Sequence, residues 1–126
     1  MEQIKGINLQ QAMEMFSGNE ALYISILKEF VDECVDNLKE IEAGIDSNDI
    51  DKALAASHKL KGTASNISVS EVHKKAAILE TTIRKAKKTT SDISSHEIKQ
   101  TFKELNEVSA EFLESIQKIN TDTIEN

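Results

Sequence analysis

Apolar residues recur along most of the chain at intervals of three and four, the spacing of one face of an α-helix. From about residue 20 to 44 the seam is Tyr23, Leu27, Phe30, Cys34, Leu38 and Ile41. Further seams step through Ile50, Ala53, Ser57, Leu60, Ala64 and Ile67, then Val69, Val72, Ala76, Leu79, Ile83 and Ala86, then Ile98, Phe102, Leu105, Phe112, Ile116 and Ile119. A shorter element over about 8–16 precedes them. The punctuation is polar. Asn8 is placed as an N-cap with Gln11 as its capping-box partner, Gly18-Asn19 ends the first helix and caps the second, and Gly44 to Asn48 supplies a turn. Ser68 with Glu71, and Ser94 with Glu97, have the spacing of capping boxes before the last two helices. The loop T-T-S-D separates those two, and the tail over 120–126 is expected to fray.

Four long amphipathic helices joined by short loops must bury their seams against one another, and short connections make successive helices antiparallel. The pattern therefore predicts an all-α fold: an antiparallel up-down-up-down four-helix bundle with a short additional N-terminal helix. With 126 residues, no proline and four glycines, the composition suits long uninterrupted helices. No fixed-period repeat or low-complexity linker divides the chain, so one domain is expected over 1–126.

A formal charge of −7 argues against nucleic acid as a partner, because phosphate contacts need a basic surface. Proteins are the expected partners. The one basic cluster, Arg84, Lys85, Lys87 and Lys88, lies near a helix C-terminus, where the macrodipole accounts for it. Cys34 cannot form an internal disulfide, and its seam position predicts a buried thiol, in keeping with a reducing compartment. No apolar run approaches the ~18 residues that span a bilayer, and the start M-E-Q-I-K-G-I-N lacks a signal-peptide pattern. These features lead to the expectation of a cytoplasmic protein with no membrane partner.

Residues 57–66, S-H-K-L-K-G-T-A-S-N, place Gly62 inside a helix, where glycine costs roughly 1 kcal/mol against alanine. At 100° per residue, His58 points roughly 130° away from the inward seam of its helix, so its ring is expected to face solvent. Leu54, Gly62 and Ser65 lie within about 40° of the same direction and Lys61 within about 60°. Glycine at 62 then either leaves space for another molecule to reach the imidazole or permits close helix packing. A neutral imidazole is a nucleophile at one nitrogen when the other carries the proton, and a carboxylate held against that proton would fix the tautomer. No second histidine or cysteine stands at metal-ligand spacing from His58, so no metal site is expected. An open helix face also lacks the water-excluding cleft and oxyanion hole of a hydrolase.

The stretch A-A-S-H-K-L-K-G-T-A-S-N-I closely resembles the central motif of histidine-containing phosphotransfer (HPt) domains, H-x-x-K-G-x-[AS] after a small residue. The resemblance extends through I-K-G-I-N-L-Q-Q-A-M, G-N-E-A-L-Y-I-S-I-L-K-E-F and the acidic turn before the motif helix. It implies that His58 is a phosphoacceptor at Nε2, taking a phosphoryl group from the aspartate of one response-regulator receiver domain and passing it to another. It further implies that Lys61 offsets phosphoryl charge and Gly62 leaves room for it, with Lys59 limited to electrostatic steering and Ser65 a surface neighbour. Glu80 falls where many members bond the histidine's Nδ1; the alternative is a flanking surface carboxylate. Ser68 departs from the glycine common at the end of the motif helix.

The same resemblance implies no ATP site or cofactor in this chain, with Mg²⁺ supplied by the receiver, and a hybrid histidine kinase among the partners. The docking patch would include Leu9, Met13 and Phe16 of the short helix, together with Leu54, although some of these must face the core. A monomer is expected. Two related readings and one unrelated reading compete. A histidine-kinase dimerisation domain usually has an acidic residue after the histidine and a proline beyond it, whereas here Lys59 follows and there is no proline. A chemotaxis-type phosphotransfer domain would share the bundle and Glu80. A purely structural helical adaptor would leave the combination of His58, Lys61 and Gly62 without a purpose.

Overall fold

The computed structural model describes residues 3–89, 92–93 and 95–125, the side chains of 120–125 excepted. The described residues form five helices and no strand: α1 (Leu9–Met15), α2 (Glu20–Asp46), α3 (Ile50–Asn66), α4 (Ser70–Lys88) and α5 (His96–Glu125). Helix α2 packs on α3, α3 on α4, α4 on α5, and α5 returns to α2, which closes the four-helix bundle. Its centre is built from the expected seams, with Tyr23, Leu27, Leu60, Leu79, Ile83, Leu105 and Phe112 fully buried. The expected capping pair Ser94 and Glu97 and the fraying of 120–126 fall wholly or partly outside the described residues. Ser95 Oγ accepts from Ile98 N–H at 3.4 Å at the start of α5.

Helix starts follow side-chain chemistry. Asn8, Asn19 and Asp49 each accept from the backbone N–H three residues on, at 3.0, 3.0 and 3.1 Å, which satisfies one of the orphan donors of a first turn. Two expected capping boxes are incomplete. The Gln11 side chain does not return to the Asn8 backbone but accepts from Ser68 Oγ at 3.0 Å. Ser68 is not the cap of α4: Val69 is, with no side-chain cap bond. The Glu71 N–H bonds instead to the Gly6 carbonyl at 3.0 Å.

The reason lies in how α3 ends. Val69 N–H reaches the Ala64 carbonyl at 3.0 Å and Ser68 N–H the Ser65 carbonyl at 3.2 Å, the paired closure of a Schellman motif. That closure needs a left-handed residue, and Ser68 has φ +60°. Helix α2 ends the same way through Asn48 at φ +55°, with Asp49 N–H on the Gly44 carbonyl at 2.7 Å. The turn expected from Gly44 thus begins later, because the helix continues to Asp46.

Gly44 is a packing residue. A Cβ there would lie 2.7 Å from Ala53 N and 3.0 Å from Ala53 Cα, so α2 and α3 meet almost backbone to backbone. At Gly62 an added Cβ meets nothing within 4 Å, which rules out close helix packing as the reason for that glycine. The segment before α1 ties the bundle end together: Ile4 is buried, Lys5 N–H donates to Ser115 Oγ at 3.0 Å, and Asn8 N–H donates to the Ser68 carbonyl at 2.9 Å. Tyr23 Oη adds a bond to the Ile67 carbonyl at 2.7 Å. Burial drives its phenol up to about 12.

The two glycines should respond oppositely to alanine in urea unfolding. Gly44→Ala is expected to lower stability by about 1–3 kcal/mol through overpacking against a backbone that cannot give. Gly62→Ala should raise it by about 0.5–1 kcal/mol, the ordinary helix-propensity difference.

Candidate functional site

His58 stands in the middle of α3 with its side chain 62% exposed. Its Nδ1 is 2.8 Å from Oε2 of Glu80 on α4. Glu80 is only 4% exposed, so it is a buried carboxylate rather than a flanking surface one. It is shared by three donors. Lys61 Nζ lies 2.6 Å from Oε1, while Arg84 contacts Oε2 through Nη2 at 2.8 Å and Nε at 3.3 Å.

Burial alone would raise the Glu80 carboxyl, but the hydrogen bonds from Lys61, Arg84 and His58 together outweigh it and hold the group down at about 2. An ionised carboxylate can only accept, so the proton in the His58–Glu80 bond belongs to Nδ1. In the neutral ring this leaves the lone pair on Nε2, for which the described residues show no hydrogen-bond partner. Gly62, one turn further along, leaves the adjoining surface open.

The other predicted residues take distinct places. Lys59 and Ser65 are exposed on α3, and Leu54 is partly buried one turn before His58. Leu9 and Met13 of α1 and Phe16 at its C-cap are all partly buried; the Phe16 ring packs tilted against Tyr23 with ring centroids 5.2 Å apart. Ala12 is the fully buried residue of α1, and Met13 and Phe16 pack against the same core. The exposed apolar residues near that end are Met15 and Leu22.

Two residues of the site were not picked out by the sequence reading. Arg84 was grouped with a basic run ascribed to the helix dipole, although its i+4 spacing from Glu80 is that of a helical ion pair. Lys87 of the same run pairs with Asp51 across the helices at 2.7 Å. His73 donates Nδ1–H to the Lys61 carbonyl at 3.1 Å and so pins α4 to the motif helix. No local pattern marks this bond, since it depends on how two helices meet. Among the described residues, no three His, Cys, Asp or Glu side chains converge as a metal site, and no helix is long and apolar enough to cross a membrane.

A sequence model of the Hpt domain matches residues 25–119, the span that holds the His58, Lys61, Gly62 and Glu80 cluster. The chain belongs to the Hpt domain family. Its fold is similar to the crystal structure of the HPT domain from the Hpt sensor hybrid histidine kinase of Shewanella, with a TM-score of 0.74 and 14% identity, covering 93% of this chain and 95% of that one. Comparison with curated proteins gives no match. Hpt membership assigns the chain a phosphotransfer role in two-component signalling, as a phosphocarrier that interacts with response-regulator receiver domains.

The depressed Glu80 carboxyl has a consequence for acid stability. A group held below its ordinary value of 4.5 contributes stability that is complete above 4.5 and is lost as pH falls toward about 2. Between these limits the wild type should lose about 1–3 kcal/mol more than Glu80→Gln. Urea unfolding across a pH series measures the difference, and parallel acid limbs would contradict it.

Proposed function

We propose that His58 is the phosphoacceptor of a multistep phosphorelay, loaded from the aspartyl phosphate of one receiver domain and unloaded onto the aspartate of another. One observation carries the reading: an exposed imidazole whose Nδ1–H is tied to a buried carboxylate, with Nε2 free beside an open glycine. Nε2 contributes its lone pair to phosphorus as the receiver's P–O bond breaks and the aspartate leaves as a carboxylate. The imidazole then carries a positive charge, shared through Nδ1–H with Glu80. The reverse sequence on a second receiver returns the neutral ring.

The P–N bond retains high transfer potential, so the chain needs no ATP site, and the reading leaves Mg²⁺ to the receiver, where it neutralises charge on the transferring group. Lys61 offsets phosphoryl charge, Gly62 provides clearance and Lys59 steers an acidic partner. A receiver docks on the His58 face through Leu54 and the partly buried Leu9, Met13 and Phe16. A hybrid histidine kinase supplies the first receiver, and the domain acts as a monomer in the cytoplasm.

The test is incubation of the chain with a phosphorylated receiver and Mg²⁺, following acid-labile, alkali-stable label. Wild type should take up label and His58→Gln none. Label retained by His58→Gln would remove the site.

A further inference from the structure

Glu80 is one carboxylate holding two cations. Lys61 occupies Oε1, and Arg84 shares Oε2 with the His58 Nδ1–H. Before phosphorylation the cluster therefore carries one positive charge more than Glu80 needs. The two cations are not equivalent. Lys61 extends from α3, one turn beyond His58, and ends in a single ammonium on a flexible stem. Arg84 extends from α4, one turn beyond Glu80, and grips Oε2 with two N–H groups of a planar fork.

A phosphoryl group on Nε2 brings about two negative charges at neutral pH, and the cation on the histidine's own helix is the one positioned to follow it. For Lys61 to leave, Oε1 must lose its donor. A buried carboxylate stripped of its cations is strongly destabilised, whereas one that keeps paired cations is not. The phosphorylated ring, itself positive, keeps its Nδ1–H bond to Oε2, and Arg84 is the second cation that stays on Glu80 when Lys61 leaves.

Resting on the reading of His58 as phosphoacceptor, we propose that Arg84 is a positioning residue: it holds Glu80 charged and in place so that Lys61 can exchange from Glu80 to the phosphoryl group. No bond forms or breaks in this exchange; one ion pair replaces another. Without Arg84, the ring N–H would be the one other donor left on Glu80, so the carboxylate would hold Lys61 more tightly and the phosphoryl group would lose the share of that cation. The effects of residues 61 and 84 on phosphohistidine are thus a single effect, although the two side chains sit on different helices and touch different oxygens.

The experiment compares wild type, Lys61→Met, Arg84→Gln, the double variant and Arg84→Lys. All are loaded from a phosphorylated receiver, separated from it, and followed for loss of label. Lys61→Met and Arg84→Gln should each shorten the phosphohistidine lifetime by about three- to tenfold, the scale of a charge-assisted contact that is partly open to solvent. The double variant should decay no faster than either single one, and Arg84→Lys should recover most of the wild-type lifetime. Arg84 has a half-exposed side chain, so urea unfolding of Arg84→Gln should confirm a folded protein. A wild-type lifetime in Arg84→Gln, or single effects that multiply in the double variant, would overturn the exchange. Failure of the phosphoacceptor reading looks different: wild type takes no label or His58→Gln keeps it, and the exchange then falls with that reading.

Discussion

The packing of α3 against α4 turns on one buried negative charge. A carboxylate removed from water is strongly destabilised unless it is paired and its lone pairs are occupied. Glu80 meets that demand with donors from both helices: His58 and Lys61 from α3, Arg84 from α4. Two of these lie on the neighbouring helix at a spacing of three residues, so both can reach the carboxylate only at one register of the pair. The same contacts that make the charge tolerable therefore aim the imidazole. His73 on the Lys61 carbonyl fixes that register from the other direction.

The bundle uses glycine in two unrelated ways. Gly44 lets the backbones of α2 and α3 meet on the inside, while Gly62 leaves the outer surface of α3 bare beside His58. Helix ends, by contrast, do without it where it would be expected: Ser17, Asn48 and Ser68 all adopt positive φ. Polar neighbours hold the strained Ser68, whose hydroxyl reaches Gln11 and whose carbonyl accepts from Asn8.

The seams of all four long helices and the outward direction of His58 could be read from the sequence because a 3.6-residue period fixes both. The ends of α2 and α3 were harder to place. A Schellman closure is a backbone event, and at Asn48 and Ser68 no glycine advertises it; Ser68 even imitates an N-cap followed three residues later by Glu71. Arg84 was hidden for a different reason: a run of bases at a helix end already has a local explanation, and its pairing with a buried acid depends on how deeply α3 covers Glu80. The role of Gly62 was open until the space around it could be measured.

The segment before α1 bonds at one point to Ser115 and at others to the turn between α3 and α4 and the start of α4, across separations of 110 residues for Lys5 and 64 for Ser70. The helical hairpins close over far shorter stretches of chain. The segment is thus a latch across one end of the bundle, fastening parts of the chain that are far apart in sequence, whereas the cluster around Glu80 is assembled from α3 and α4 alone.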